Sequence, residues 1–302
     1  MLNNIFSRFY DTLLSKKTKE KAEHFIIWSS ISSFIIHLTI IGLVNVGILE
    51  LPFESELLSN PISAIYTPFS FILLFEVYLL VYHIPFSTAD YISKQYEIIT
   101  LIVIRRIFKD LANLNLSINW FEDKYDLQFT YDIVTTLLLF LLIYFFHKLN
   151  VKKGSAGAVE TLPAKVQVFI HRKKIMASLL VPVILAMAVY TFIGWFGDSL
   201  SSLQTIDTEG ASFRDINNIF FDEFFTLLIL TDVLLLLFSF FNTTKFNVFI
   251  RNSGFIISTI LIRISFSVDG FLNNVLILTA VLFGVLILLI NQQYEKIRRV
   301  EL

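Results

Sequence analysis

Residues 94–111 read KQYEIITLIVIRRIFKDL, with two adjacent arginines, Arg105 and Arg106, and then Lys109 inside an otherwise apolar segment. Two structures satisfy such a pattern. A surface helix would leave the basic residues in water. A membrane-crossing helix must turn them toward protein, because a charge at mid-bilayer costs about 2.5–3.5 kcal/mol on insertion scales.

The rest of the chain decides in favour of the second. Over 302 residues, 55% are apolar and 32 are Phe, with a mean hydropathy of +0.71. That profile lies well outside the 45–50% apolar range of soluble domains. A net charge of −1 offers no basic face for nucleic acid. The absence of cysteine removes disulfides, thiolate metal sites and thiol nucleophiles together.

A crossing helix needs about 20 mostly apolar residues. Six stretches qualify: Phe25–Leu49, Ser63–His83, Tyr131–Phe146, Ile175–Trp195, Phe220–Phe241 and Phe271–Ile290. Gln95–Leu111 and Phe246–Phe266 complete the set if their charges are sheltered, and either alternatively forms a surface helix. The Lys/Arg distribution tests the count, since each span reverses the side of the next loop. With eight spans, eighteen of the 24 basic residues fall on the cytoplasmic side, and the outer loops keep only Lys124 and Arg214. Without the third span the basic loop 147–174 would lie outside. The expectation is an all-α, polytopic helical membrane protein of about eight transmembrane helices, as two parallel four-helix repeats in a bacterial inner membrane, both termini cytoplasmic. Its units are an amphipathic N-terminus at 1–24, a four-helix unit at 25–149, a basic linker at 150–174, a second four-helix unit at 175–291 and a tail at 292–302.

The repeat is read from polar interruptions. YTPFSFILLFEVYLLVYHI (66–84) overlays DEFFTLLILTDVLLLLFSF (222–240), which sets Glu76 against Asp232. For the following helix two registers remain open: Arg105 against Arg263, or Lys94 and Arg106 against Arg251 and Arg263. Four spans per unit make the copies parallel rather than inverted.

These same stretches, FEVYLLVY and IRRIF in the first half and TDVLLLLF with FIRNSGFIISTILIRISF and FLNNVLILTAVLFGVLILL in the second, resemble the phosphate-starvation-inducible E (PsiE) family, best over 219–291. The resemblance implies a small helical membrane protein linked to stress response, present here as a tandem duplication, and it carries no established biochemical activity.

At 1.5 Å per residue, Glu76 lies about 11 Å and Arg105 about 16 Å from the cytoplasmic helix ends. The economical arrangement pairs Glu76 with Arg105 or Arg106, and Asp232 with Arg263, inside the bundle. Thr100, Ser258 and Thr259 are positioned to donate hydrogen bonds to neighbouring helices. Lys94 and Arg251 are secondary polar positions. Such pairs either fix helix register only or line a path for a small ion. The five His are scattered, and no metalloprotease, phosphate-loop, dinucleotide or nucleophile-elbow motif occurs. The sequence therefore predicts no enzyme, no cofactor and no metal. The lipid bilayer is the expected partner, with a homo-oligomer or a cytoplasmic protein as the further ones it allows, and nucleic acid is not expected.

Overall fold

The computed structural model describes residues 9–49, 61–112, 124–151, 164–202, 216–240 and 246–300. Among them lie eight α-helices and no strand: α1 (Lys16–Asn45), α2 (Tyr66–His83, after a 3₁₀ turn Pro61–Ile65), α3 (Thr88–Ala112), α4 (Lys124–Val151), α5 (Ala164–Ser202), α6 (Ile216–Phe240), α7 (Phe246–Ser265) and α8 (Phe271–Val300). Four helical stretches, Phe9–Asn45, Asp126–Asn150, Phe246–Ser265 and Phe271–Ile297, are long and apolar enough to cross a membrane. Shorter apolar stretches run through Thr67–His83 and Phe224–Ser239. Large apolar side chains such as Phe25, Trp28, Leu137 and Leu185 stand exposed on the outer surface. A patch of that extent suits lipid rather than water.

Local chemistry explains where the helices start and stop. Ser15 caps α1, its Oγ accepting the Thr18 N–H at 3.1 Å. Ser87 does the same for α3, accepting the Asp90 N–H at 3.1 Å while donating to Asp90 Oδ2 at 2.6 Å, a reciprocal cap. Gly270, at φ +70°, makes the left-handed turn between α7 and α8 that a side chain would resist. Pro182 sits inside α5, a position that membrane helices tolerate.

Successive helices within each half run antiparallel and pack side by side, α1 on α2, α2 on α3 and α3 on α4, then α5 on α6, α6 on α7 and α7 on α8. The halves meet chiefly where α4 lies against α8. There the two run in the same direction, since Tyr131 packs on Phe271 at one end and Gln292 Nε2 donates to the Leu149 carbonyl at the other.

The opening stretch belongs to the bundle's interior. Tyr91, Ile92, Ser93, Gln95, Tyr96, Ile98, Ile99 and Thr100 of α3 are all buried, with α2 and α4 flanking it and side chains of α6, α7 and α8 reaching it. These positions are covered by protein and meet neither lipid nor bulk water. Tyr96 enters the seam between α7 and α8 opposite Gly284, where a Cβ would lie 1.7 Å from the tyrosine oxygen.

Three expected boundaries shift. α8 continues to Val300 through the stretch read as a tail, α5 begins at Ala164 inside the expected linker, and α3 begins seven residues before Gln95. The rest of the linker, 152–163, falls outside the described residues. Residues 9–13 form a helical turn docked on the bundle rather than lying free. Tyr78 Oη donates to the Leu13 carbonyl at 2.9 Å, Leu14 is buried, and Lys174 Nζ sits 4.9 Å from the Tyr10 ring centre.

Candidate functional site

α3 distributes its polar side chains to three places. The first is the contact with α2: Arg105 Nη2 donates to Glu76 Oε2 at 2.8 Å and Nη1 reaches the Phe69 carbonyl at 3.5 Å. Both side chains are largely buried, and Glu76 Oε1 has no protein partner. Because α2 and α3 are joined by a tight turn, one antiparallel crossing brings the acid and the base to the same level.

The second place is the junction of the halves. One helical step onward, Arg106 turns away from Glu76 toward Asp132 of α4, which takes bonds from Nε and, at 2.8 Å, from Nη2. The same guanidinium donates to Asn273 Oδ1 at 2.6 Å and to Asn274 Oδ1. Asp132 is fully buried and also accepts from Gln128 and Asn274, each at 2.7 Å. The side-chain polar atoms of Arg106, Asp132, Asn273 and Asn274 therefore all have partners, the condition under which a buried network stabilises rather than costs. Sequence reasoning missed Asp132, Asn273 and Asn274. The signal was there in the Asn273–Asn274 pair opening an otherwise apolar helix.

The third place corrects an expectation. Asp232 does not pair with Arg263. The α6–α7 crossing rotates Asp232 toward α3 and α5, where its Oδ2 accepts from Gln95 Nε2 at 3.3 Å, and among the described residues it forms no ion pair. Arg263 instead lies in the last turn of α7, at the far end of the bundle, with its Nε donating to Thr226 Oγ1 at 3.3 Å. It is therefore not held at mid-helix depth. Gln95 in turn accepts from Thr259 at 2.9 Å.

Beside Asp232 is a cavity of about 20 Å³ lined by Tyr91, Lys173, Asn252 and, toward the helix ends, Thr88 and Phe169. That is room for about one water. Lys173 is only 3% exposed and its Nζ donates to the Phe86 carbonyl at 2.9 Å. Burial pushes its ammonium down to about 8, against the opposing pull of Asp232. The Tyr91 hydroxyl is buried and faces Asp232 and Gln95, meeting neither at hydrogen-bond distance and angle. Lys173 was also missed, since it reads as one more charge in a basic linker until α5 is seen to begin at Ala164.

The secondary positions divide. Ser258 Oγ crosses to the Ala280 carbonyl at 2.7 Å and meets Tyr96 Oη at 2.8 Å. Thr100 donates only to its own helix, to the Tyr96 carbonyl at 2.9 Å, rather than across as expected. Lys94 pairs with Glu97, which also faces His147 at 3.1 Å. Arg251 donates to Asn252 Oδ1 at 3.2 Å from Nη2. No group of three or more His, Cys, Asp or Glu able to hold a metal occurs among the described residues. No family model, curated protein or solved structure matches the chain.

Proposed function

We propose that the chain is an eight-span protein of a bacterial plasma membrane, both termini cytoplasmic, built of two parallel PsiE-like units, and that it moves or senses a small ion at Asp232. The observation that carries the ionic reading is an acid 4% exposed, without an ion-pair partner among the described residues, beside a water-sized cavity. An intramembrane carboxylate is costly and is kept where it does something.

The duplication draws support from pairs of contacts. Phe69–Phe108 joins α2 to α3 at 5.3 Å between ring centres, and Phe225–Phe266 joins α6 to α7 at 4.9 Å. Matching these pairs aligns Glu76 with Asp232 and Arg105 with Arg263, which favours that register over the one through Arg106. Tyr96 against Phe146 and Gly254 against Ile287 then fall at equivalent places on the α3–α4 and α7–α8 crossings. The parallel run of α4 and α8 is what two copies related by an axis along the membrane normal require. The Lys/Arg excess on the side of the termini supports the orientation.

Reconstitution into sealed vesicles tests the function. Flux of H⁺, Na⁺, K⁺ or Cl⁻ under a gradient or a potential, lost in Asp232→Asn, is the expected result. Absence of every flux from folded protein overturns it and leaves the second reading, a packing or partner-binding subunit. That reading draws on the fully satisfied Arg106 cluster, which needs no ion to explain it.

A further inference from the structure

The Arg106 cluster is closed by its own partners and Glu76 meets Arg105 directly through Oε2, whereas Asp232 has no ion pair among the described residues and borders a cavity. Four buried polar side chains border one cavity: Asn252, whose amide is already engaged by Arg251 and Ser239, the Asp232 carboxylate, the Lys173 ammonium, which uses one of its three N–H bonds on the Phe86 carbonyl, and the Tyr91 hydroxyl, which faces Asp232 without a hydrogen bond to it. A lone buried hydroxyl costs about 1–3 kcal/mol unless something occupies the space it faces. A water there can accept from both Tyr91 and Lys173 and donate to Asp232, which gives the hydroxyl its partner.

We infer that Lys173, Asp232 and a water held by Tyr91 form a proton-exchange site on the cytoplasmic side of the bundle. Resting on the proposal that Asp232 handles an ion, this names the ion as the proton and Lys173 as its second carrier. The step balances simply. The Lys173 N–H bond breaks as a water O–H bond forms, and that water passes its own proton to an Asp232 oxygen, so the charged pair becomes a neutral amine and a carboxylic acid. Half-exposed Thr88 and Phe169 form the wall through which the proton reaches bulk water.

Proton binding rather than metal-cation binding follows from the company. An ammonium bordering the cavity repels a second cation, and Arg251 of α7 adds to that repulsion, while Asp90 of α3 opposes it from the helix end. The burial that brings Lys173 down to about 8 makes its proton available in the neutral range.

The test uses the full chain with two readouts. In vesicles, potential-driven proton flux should fall about a hundredfold or more in Asp232→Asn, strongly in Lys173→Gln, and less in Tyr91→Phe, which keeps the ring and removes only the hydroxyl. Flux of Na⁺ or K⁺ that depends on Asp232 but not on Lys173 would overturn the inference while leaving the ion-handling proposal standing. In detergent, the infrared carbonyl stretch that vanishes in Asp232→Asn should persist to higher pH in Lys173→Gln, because the lysine charge favours the carboxylate. If no flux of any ion is found, the ion-handling proposal fails, and an unmoved infrared titration then removes the proton site as well. Should Asp232→Asn fail to fold, the Lys173→Gln and Tyr91→Phe arms decide: wild-type proton flux in both overturns the inference.

Discussion

Glu76 and Asp232 both sit on the second helix of their half and point inward, yet they are treated in opposite ways. Glu76 is met by a guanidinium at 2.8 Å. Asp232 is met by an amide at 3.3 Å, a neighbouring lysine beyond ion-pair distance and an open cavity. The difference originates on the third helix. Arg105 lies seven residues inside the end of α3, whereas Arg263 lies in the last turn of α7 and turns to Thr226. One half closes its acid with a base, the other leaves its acid to be neutralised by something mobile. A closed pair suits packing, because removing one partner leaves an uncompensated charge, and an acid held by neutral donors suits exchange.

The junction between the halves sets the upper limit of that comparison. Arg106→Ala should be the most damaging change, since it strips two bonds from fully buried Asp132 and one each from Asn273 and Asn274. A loss of about 3–5 kcal/mol is expected, read as a lower midpoint of denaturant unfolding in detergent. A loss no larger than that of an exposed substitution such as Lys16→Ala would mean that the halves are not joined there. Arg105→Ala should follow, at about 3 kcal/mol, with the swap Glu76→Arg plus Arg105→Glu regaining most of what either single change loses. Equal damage from the single and double variants would refute direct pairing.

That ranking shows what the sequence makes legible. The eight helices and the Glu76–Arg105 contact follow from apolar runs, a tight turn and 1.5 Å per residue, all local quantities. The Arg106 cluster joins positions 167 and 168 residues apart, and Gln95 meets Asp232 across 137. Such contacts depend on which helix of the second half lies beside α3, and no periodicity fixes that. Asp232–Arg263 fails for a related reason. Adjacent helices share a crossing, but the rotation of each about its own axis decides which side chains meet, and α6 turns Asp232 toward α3 and α5. Lys173 shows a third limit, since a charge counted with a loop changes meaning when its helix starts at Ala164, eleven residues before the expected Ile175.

The tightest approach of the halves offers a smaller test. In the proposed register Tyr96 and Gly254 are equivalent: the first half places a ring where the second has a glycine closed over by Ile287, and Gly284 is the residue that admits the ring. Gly284→Ala places a methyl 1.7 Å from the Tyr96 oxygen. The ring must then swing off Ser258, at a cost of about 1–3 kcal/mol as in other overpacked cores. Tyr96→Phe in the same background should recover part of the loss, because the clash lies at the oxygen.

Asp232→Asn should have the least effect on stability, and that smallness is the point. The substitution keeps an oxygen able to accept from Gln95 while removing a buried charge that no ion pair compensates. Unfolding in detergent should therefore shift by about 1 kcal/mol or less, in either direction. The matching change on the other side, Glu76→Gln, removes the negative charge that faces the largely buried Arg105 guanidinium and leaves a weaker bond in its place, so it should destabilise clearly more. If the two substitutions cost the same, the acids are equivalent and the asymmetry between the halves carries no functional meaning. If Asp232→Asn leaves stability intact and still abolishes ion movement, the carboxylate is present for what it binds, since a residue kept for packing cannot be exchanged without loss of packing.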